Sequence, residues 1–385
     1  MTRSNKRVRV LAALIATAGL TLSACGTTDD SGDGGGGGGD NAADCKSIAF
    51  FGALTGPAAG LGQQILNGVQ LAVDQYNEDS DCEVGLEEYD SQGSPDAAPQ
   101  LATQAAGDDK VIGIVGPAFS GESAAAGPIF AEAGLPTITP SGTNPTLADN
   151  GWDTFHRILG NDATQGPAAA AYIQDTLGAK SVFVMDDASE YGAGLAGIVK
   201  DSLGDIVVGE DTIQTGDTDF SPSVTKVKAS KADTLFFGGY YAEAALLISQ
   251  LRDGGWDGTF VVADGVKDPG FIDGAKDAAE GTVITCPCIP PEDPAVAEFA
   301  TAYEADFDAA PGTYTAEAYD AANVFLEGLA DGADDRPAML DFVNNYDEAG
   351  ITKQVKFDEK GEVADIHVYA YKVEGGEIVS DTEIE

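Results

Sequence analysis

Two short turns rich in serine and threonine carry the residue types best suited to binding chemistry. Ser120 ends a predicted strand and precedes a predicted helix over residues 123–133. The run Ser141-Gly142-Thr143 precedes Asn144-Pro145, a typical N-cap and N1 pair. Backbone N–H groups and hydroxyls beside positive helix ends suit a carboxylate without any arginine. The alternative for each turn is an ordinary helix cap, and capping is compatible with ligand binding.

The motifs of common enzymes are missing from the sequence. The glycine-containing loop over residues 52–60 does not read G-x-G-x-x-G and no GK[ST] occurs, so nucleotide chemistry is unsupported. Gly121-Glu122-Ser123-Ala124-Ala125 lacks the second glycine of a nucleophile elbow. Of the two histidines, His156 and His367, His156 lies in a strand-like run where a structural role is expected. We therefore expect a protein that is not an enzyme and has no cofactor and no metal site.

The charge balance excludes another class of partner. The 385 residues include 20 Lys or Arg and 64 Asp or Glu, which gives a formal net charge of −44. Because a nucleic-acid binder needs excess positive charge to neutralise phosphates, no nucleic-acid partner is expected. Hydrophobic residues at 43% and a mean hydropathy of −0.08 are ordinary for a globular chain long enough for two domains.

Residues 1–24 are typical of an export signal. Four basic residues between positions 3 and 9 precede an apolar run over residues 10–22, which is too short to span a bilayer. Leu22-Ser23-Ala24-Cys25 resembles the lipobox of bacterial lipoproteins, which implies cleavage before Cys25 and lipidation of that residue. Residues 25–44 include six consecutive glycines and predict a flexible tether. We therefore expect an extracytoplasmic protein held by a lipid at the outer face of the cell membrane, or a periplasmic one.

Beyond the tether, short apolar runs alternate with helical patterns in two successive series, over residues 48–139 and 167–262. Strands that are continuously apolar and separated by helices indicate parallel βαβ layers. In the predicted helix over residues 61–76, apolar residues recur every three or four positions and form one face against a sheet. The pattern predicts an α/β fold made of two similar units, followed by further helices and a final pair of strands.

Four cysteines follow Cys25 in a compartment that permits disulfides. Cys45 precedes the first predicted strand and Cys82 the second. Because successive strands of a βαβ unit usually start at the same sheet edge, we predict a disulfide between them. Cys286 and Cys288 are separated by one proline, and their pairing as a local disulfide, a metal half-site or a redox pair stays open, with the disulfide favoured.

Several segments together resemble the leucine/isoleucine/valine-binding group of type I periplasmic binding proteins, the extracytoplasmic receptors of ABC importers. They occur in the order of that family and span about residues 46–373. The matching segments are Gly52-Ala53-Leu54-Thr55-Gly56-Pro57, Gly68-Val69-Gln70-Leu71-Ala72-Val73, Ile114-Val115-Gly116-Pro117-Ala118-Phe119-Ser120, Pro136-Thr137-Ile138-Thr139-Pro140-Ser141-Gly142-Thr143, Tyr191-Gly192-Ala193-Gly194-Leu195-Ala196 and Phe236-Phe237-Gly238-Gly239-Tyr240.

The resemblance implies an α/β fold of two Rossmann-like lobes with parallel-sheet cores, joined by a three-crossover hinge and closing on a ligand. One lobe would contain residues 45–163 and 292–351, and the other residues 164–291 and 352–385. The candidate crossovers are Gly160-Asn161-Asp162, Pro290-Pro291 and Ile351-Thr352.

The resemblance also implies the ligand site. The family binds an amino-acid carboxylate at the positions of Ser120, Ser141, Gly142 and Thr143, and places an acid against the ligand ammonium at the position of Asp264. The members most similar to the leucine binder carry glutamate at that position, so the shorter aspartate leaves the ligand's identity open. An Asp-Gly turn with Gly265 is the structural alternative for Asp264. Positions lining the side-chain pocket of the family correspond to Phe119, Tyr191, Tyr240, Leu61 and Tyr314, which could also be ordinary core residues.

The implied function is that of a solute-binding receptor for a neutral, branched-chain or aliphatic amino acid. No lysine or arginine occupies a matched site position, so acidic amino acids are disfavoured. The expected partners are the amino acid, the transmembrane subunits of an ABC permease and the membrane through the lipid anchor, and the protein is expected to be a monomer. The alternatives are a ligand sensor that signals to a membrane kinase, or a receptor for a short amide or urea-type solute.

Overall fold

The computed structural model describes residues 45–80, 82–364 and 366–384. The predicted export signal over residues 1–24, the lipidation site Cys25 and the tether over residues 25–44 lie outside the described residues. Within the described residues, no helix is both long and apolar enough to cross a membrane.

The first lobe starts as an alternation of strands and helices, as the apolar pattern predicts. All five of its strands are parallel, and they are ordered 2-1-3-4-5 across the sheet. The elements are β1 (Ser47–Gly52), α1 (Ala59–Asp79), β2 (Gly85–Asp90), α2 (Ala98–Gly107), β3 (Val111–Val115), α3 (Ser120–Ala133), β4 (Thr137–Thr139) and β5 (Phe155–Arg157). Every residue of β1 and β3 is buried, because helices cover both faces of a parallel sheet.

The second lobe repeats this architecture around a seven-stranded sheet. Its chain-order elements up to the second crossover are α4 (Asp162–Ala171), β6 (Val182–Asp186), α5 (Glu190–Leu203), β7 (Val207–Thr212), α6 (Ser221–Ser230), β8 (Thr234–Gly238), α7 (Tyr241–Asp253), β9 (Thr259–Ala263), α8 (Pro269–Ala275) and β10 (Val283–Cys286). The five strands of this segment are mutually parallel in the order 10-9-8-6-7. Sequence patterning missed α8 and β10, which are short elements of seven and four residues.

The chain then returns to the first lobe before ending in the second. The remaining elements are α9 (Ala297–Phe307), α10 (Thr315–Ala330), α11 (Arg336–Asn344), β11 (Asp347–Ala349), β12 (Gln354–Lys356), β13 (Val368–Glu374) and β14 (Glu377–Ile384). Helix α10 packs against α1 so closely that a Cβ on Gly68 would lie 2.2 Å from the Thr315 carbonyl oxygen. Strands β13 and β14 extend the second sheet in antiparallel fashion beside β10.

The third crossover lies further along the chain than Ile351-Thr352, the position that the resemblance implies. Strand β12 pairs with β11, and Glu362 forms a bridge with Arg157 at the end of β5. Residues 354–363 therefore belong with the first lobe, and the chain enters the second sheet at β13. The first strand of the predicted final pair, over residues 354–357, corresponds to β12, but its partner β11 was not predicted, so the hairpin that keeps this segment with the first lobe was missed.

Both disulfides that the sequence favours are present. Cys45 and Cys82 join the starts of β1 and β2 with a Cα–Cα distance of 5.7 Å, as expected for neighbouring parallel strands. Cys286 and Cys288 are bonded to each other with a Cα–Cα distance of 5.2 Å, and both are buried beside the second crossover. The described residues contain no cluster of three or more His, Cys, Asp or Glu side chains arranged to hold a metal ion.

Candidate functional site

A small cavity of about 20 Å³ lies between the two lobes. It sits beyond the carboxyl ends of β3, β4, β6, β8 and β9, where parallel α/β sheets usually bind ligands. The first lobe contributes Leu61, Ile65, Ala118, Phe119, Ser120, Ser141 and Tyr314, and the second contributes Tyr191, Tyr240, Asp264 and Gly265. The topology therefore brings together side chains that are up to 253 positions apart in sequence, from Leu61 to Tyr314.

The start of α3 forms one part of the first-lobe wall. The helix begins at Ser120, three residues earlier than predicted, with Phe119 as its N-cap. Glu122 accepts a hydrogen bond from the Phe119 amide at 3.3 Å and another from the Ser91 hydroxyl. Complete burial raises the pKa of Glu122 to about 8 despite these hydrogen bonds. A buried acid thus fixes the turn that presents Ser120 to the cavity.

The second turn is tied directly to the first. The Ser141 hydroxyl donates to the Ala118 carbonyl at 2.7 Å, and the Asn144 amide donates to the Ser120 hydroxyl oxygen at 3.2 Å. Asn144 is the N-cap of a five-residue 3-10 helix, as its position before Pro145 predicts. The Gly142 amide donates to Thr139 Oγ1 at 2.9 Å, so this N–H group is not free as the sequence suggested.

Arg157 supports the second turn from below and was not identified from the sequence. Its Nη1 donates to the carbonyl oxygens of Gly142 and Asn144 at 2.8 and 2.9 Å. Its Nε and Nη2 face the two oxygens of Glu362 in a bidentate pair. Arg157 is completely buried, and these contacts use its guanidinium to hold the chain rather than to line the cavity.

Asp264 is the acidic group of the second-lobe wall. Its Oδ1 accepts from Gln165 Nε2 at 2.6 Å and from the Tyr191 hydroxyl at 2.9 Å. Its Oδ2 accepts from the Tyr314 hydroxyl, which comes from the first lobe. Burial raises the pKa of Asp264, and the three hydrogen bonds oppose that rise. The Asp264 carboxyl group is therefore buried, surrounded by hydrogen-bond donors, and joined to both lobes.

Aromatic rings form much of the remaining wall. Phe119 and Tyr240 meet edge to face with ring centroids 5.3 Å apart, and Tyr191 and Tyr240 lie 5.2 Å apart. Tyr314 has a backbone φ of 66°, an uncommon conformation for a residue with a side chain, and it precedes the first residue of α10. Burial raises the pKa values of Tyr191, Tyr240 and Tyr314 well above that of a free tyrosine, so their hydroxyls stay neutral.

Polar atoms without partners cluster beside this wall. Both carboxyl oxygens of Asp162, the Thr143 hydroxyl and Gln165 Oε1 are buried and have no hydrogen-bond partner among the described residues. The Thr143 hydroxyl faces Asp162 closely enough to lower its pKa, although no well-directed hydrogen bond forms. Buried polar atoms are normally paired, so this group marks a polar region directly behind the cavity.

Further hydrogen bonds cross between the lobes at the rim of the cavity. Gln64 Nε2 donates to Asp268 at 2.6 Å, and the Gly60 amide donates to the Tyr241 hydroxyl at 3.2 Å. The Thr313 hydroxyl donates to the Lys267 carbonyl oxygen. These contacts hold the lobes close together around the cavity.

Eight of the ten residues expected at the ligand site line the cavity, all except Gly142 and Thr143. Those two are buried in the turn that follows Ser141, and their role in ligand binding stays a prediction, as it does for the other eight. Sequence reasoning missed Asp162 and Gln165. Their spacing of three on a helix that follows a proposed hinge is the signal that could have identified a polar, inward-facing edge.

His156 has the structural role expected from its strand-like surroundings. It is buried in β5, where Nδ1 lies 3.2 Å from the Thr137 carbonyl oxygen and Nε2 lies 3.0 Å from Asn344 Oδ1. Burial lowers its pKa. These partners keep the ring in the core of the first lobe, away from the cavity wall.

Known proteins are similar to this chain over most of its length. A Leu/Ile/Val-binding protein from Rhizobium johnstonii is 33% identical over 343 residues. The alignment covers 87% of this chain and 93% of the relative. A leucine-specific-binding protein from Salmonella typhimurium is 30% identical over 350 residues, and the alignment covers 88% of this chain and 94% of that protein.

Solved structures give the same result. A leucine binding protein from Thermotoga maritima superposes with a TM-score of 0.82 at 28% identity, covering 88% of this chain and 98% of that one. A branched-chain amino acid transporter substrate binding protein from Streptococcus pneumoniae, solved in complex with isoleucine, has a TM-score of 0.81 at 28% identity, with coverages of 88% and 99%. The family described as periplasmic binding protein matches residues 47–377. With two lobes, an interlobe cavity and a match over most of its length, the chain belongs to the periplasmic binding protein family.

Proposed function

We propose that this protein is the extracytoplasmic solute receptor of an ABC importer and that it binds a neutral amino acid with a branched or aliphatic side chain between its lobes. Relatives named for leucine, isoleucine and valine cover most of the chain, and the structure from Streptococcus pneumoniae is a complex with isoleucine. A binding function also agrees with a cavity wall made of hydroxyls, one acid and apolar rings.

The observation that carries the proposal is the distribution of polar groups across the cavity. Ser120 lies at the positive start of α3, and Ser141 lies beside that helix end through its hydrogen bond to the Ala118 carbonyl, so this part of the first lobe can stabilise a ligand carboxylate. Asp264 lies on the second lobe, where it can face an ammonium group. An α-amino acid carries an ammonium and a carboxylate group on one carbon atom, so it can present opposite charges to the two walls at once.

The wall also argues for an uncharged side chain. Its eleven residues include no lysine, arginine or histidine, and the buried Arg157 nearby is already paired with Glu362. A second ligand carboxylate would therefore be buried without a countercharge, at a cost of several kcal/mol. Leu61, Ile65, Phe119 and the tyrosine rings instead provide apolar contact for a side chain.

The expected energies are sufficient for useful affinity. Burying a leucine-sized side chain contributes roughly 1.5–3 kcal/mol. Each hydrogen bond to a charged ligand group contributes roughly 1.5–3 kcal/mol. A micromolar dissociation constant needs about −8 kcal/mol in total, which one buried side chain and several such hydrogen bonds can reach.

The same proposal includes the location of the protein. The lipobox at Leu22-Ser23-Ala24-Cys25 supports lipidation of Cys25, and the tether over residues 25–44 supports attachment of a monomeric receptor to the outer face of the membrane. Mass spectrometry of the membrane fraction would detect a diacylglyceryl group on Cys25, and a Cys25→Ser variant should instead appear in the soluble extracytoplasmic fraction.

Calorimetric titration of the mature protein, stripped of ligand by unfolding and refolding, tests the ligand class. We expect leucine, isoleucine or valine to bind with micromolar or better affinity, and glutamate and lysine to give no heat. Binding of only urea or short amides would reject the amino-acid assignment. Loss of branched-chain amino acid uptake in a deletion strain would distinguish import from signalling, since a sensor alone would leave transport through an intact permease unchanged.

A further inference from the structure

Two buried acids lie close together behind and within the cavity wall. Asp162 is the first residue of α4 and is completely buried, while Asp264 lies at the end of β9 and is 3% exposed. Gln165, which lies one turn after Asp162 on α4, donates to Asp264 Oδ1 at 2.6 Å, so the start of this helix lies against the Asp264 carboxyl group. In keeping with that geometry, the negative charge of Asp264 is the second cause, after burial, that raises the pKa of Asp162. The two carboxyl groups therefore interact electrostatically although they come from different elements.

The surroundings do not supply a cation for this pair. Arg157 acts favourably on Asp162, but its guanidinium is engaged by both oxygens of Glu362 and by two carbonyl groups. The other titratable groups that face the two acids are neutral phenols with raised pKa values, from α5, from the residue before α7 and from the residue before α10: Tyr191, Tyr240 and Tyr314. Within the described residues, two acids thus share a low-dielectric region with one cation that is already paired.

The two acids differ in the number of hydrogen bonds that their carboxyl groups accept. Asp264 accepts three hydrogen bonds, from Gln165, Tyr191 and Tyr314, and these favour its charged form. Asp162 has no partner for either oxygen among the described residues, and only the nearby Thr143 hydroxyl and Arg157 favour its charged form. Because two neighbouring buried carboxyl groups cannot both ionise without compensation, the pair titrates as a unit.

We infer that, without ligand, the pair formed by Asp162 and Asp264 retains one proton, and that entry of a ligand ammonium group expels this proton to the solvent. The inference rests on the proposed function, since it requires an ammonium group beside Asp264. The step breaks one carboxyl O–H bond, the proton passes to buffer or water, and the ligand's positive charge replaces it. Amino-acid binding is then coupled to proton release.

This coupling would make Asp162 a determinant of ligand class. A ligand that brings a positive charge can stabilise both carboxylates, whereas urea or a neutral amide leaves the proton in place. Because binding of an ammonium ligand releases a proton, its affinity should increase with pH over the range in which the free pair holds that proton, by up to tenfold for each pH unit. Neutral ligands should show no such trend.

Calorimetry in several buffers at one pH tests the inference with the wild-type protein. Leucine, or whichever amino acid the ligand screen identifies, is titrated at pH 6.5 in buffers of different ionisation enthalpy, such as phosphate, HEPES and Tris. Proton release predicts that the observed enthalpy changes linearly with the buffer ionisation enthalpy, with a slope that corresponds to release of up to about one proton per site. A slope of zero with clear binding would overturn the inference and leave the proposed function intact, whereas absence of binding by any amino acid would reject the proposed function itself.

An Asp162→Asn variant assigns the proton, since asparagine keeps the shape of the side chain and cannot ionise. We expect its binding enthalpy to be independent of the buffer and its affinity to be nearly flat between pH 5 and 8. Glu317→Gln is the matched control, because Glu317 is also buried but accepts from the Ile289 amide outside the pair, and it should retain the wild-type slope. An unchanged slope in Asp162→Asn would overturn the assignment, and if that variant fails to fold, the pH dependence of wild-type affinity still decides whether a proton is released.

Discussion

Phe119 in the first lobe and Tyr240 in the second meet edge to face, with ring centroids 5.3 Å apart. Both rings line the inner cavity and also the larger outer part of the cleft, so they form a partition between the two spaces. An edge-to-face pair contributes about 0.5–1.5 kcal/mol beyond the apolar area that it buries. This contact therefore stabilises the approach of the lobes and separates the inner cavity from the outer part of the cleft.

Replacing Tyr240 by alanine should weaken binding of the amino-acid ligand at least tenfold, because both the contact between lobes and part of the pocket wall are lost. Tenfold corresponds to about 1.4 kcal/mol. Titration calorimetry measures the change, and Tyr240→Phe is the control because it keeps the ring. If the alanine and phenylalanine variants bound equally well, the ring contact would have no role in enclosing the ligand.

Replacing Asp264 by asparagine should reduce affinity by about 2 kcal/mol or more, roughly thirtyfold, since the countercharge for the ligand ammonium is removed. Thermal unfolding should show that the variant stays folded, because a buried charge has been removed without changing the shape of the side chain. Asp273→Asn, on the exposed surface of α8 in the same lobe, is the control for a general change in charge. Unchanged affinity in Asp264→Asn would contradict the proposed ammonium contact.

Glu122 should make the unfolding free energy depend on pH. Its pKa is about 8 in the folded protein because the group is buried, whereas an unfolded chain has the ordinary value near 4.5. Between these values the folded state binds a proton that the unfolded state has lost. The contribution of Glu122 to the unfolding free energy is therefore complete below the pKa of the unfolded chain. It declines by about 1.4 kcal/mol for each pH unit as the pH rises towards the pKa of the folded protein.

The Glu122→Gln variant isolates this effect, since glutamine does not titrate. Urea denaturation at pH 5.5, 6.5 and 7.5 should show that the unfolding free energy of the variant, relative to that of the wild-type protein, increases at each step. Glu88→Gln, at an exposed position of β2, should show no such trend. A constant difference between Glu122→Gln and wild type over this range would mean that Glu122 is ionised in the folded protein.

Loss of the Cys45–Cys82 disulfide should lower the unfolding free energy by about 4 kcal/mol, because the bond closes a loop with a sequence separation of 37. Ligand affinity should not change, because the bond joins the amino ends of β1 and β2 and the cavity lies beyond the carboxyl ends of the strands. Urea denaturation and calorimetry of Cys45→Ala/Cys82→Ala measure both quantities. In Cys286→Ala/Cys288→Ala the separation is only 2, so a loss as large as that of the first pair would argue against loop closure as the cause.

The alternation of apolar strands and helices was enough to predict the two α/β units. Helix α1 covers the predicted residues 61–76, with Leu61, Ile65 and Val69 facing the core. Strand β7 continues to Thr212 although its last four residues are small or polar, because it lies at the edge of the sheet, where every second residue is exposed. Short elements such as α8 carry too few turns of periodic pattern to be detected.

Some residues of the candidate site could be predicted from the sequence and others could not. Residues at strand ends, such as Ser120, Tyr240 and Asp264, were located because the ends of parallel strands meet at one edge and a family resemblance supplied their order. Gln165 and Arg157 were not, because their partners, Asp264 and Glu362, are 99 and 205 positions away in sequence. Local sequence patterns place a residue on a helix, strand or turn. They do not give its distant hydrogen-bond partner, because that partner depends on how the elements pack.

The left-handed backbone at Tyr314 has a consequence for the evolution of the site. Glycine would adopt this conformation without the roughly 1–2 kcal/mol that a Cβ costs there. Glycine, however, would remove the hydroxyl that reaches Asp264 from the opposite lobe. It would also empty the space that the buried Tyr314 ring fills, at a cost of about 3–5 kcal/mol that exceeds the relief of backbone strain, so attempts to engineer a hardier version of this protein should leave position 314 alone.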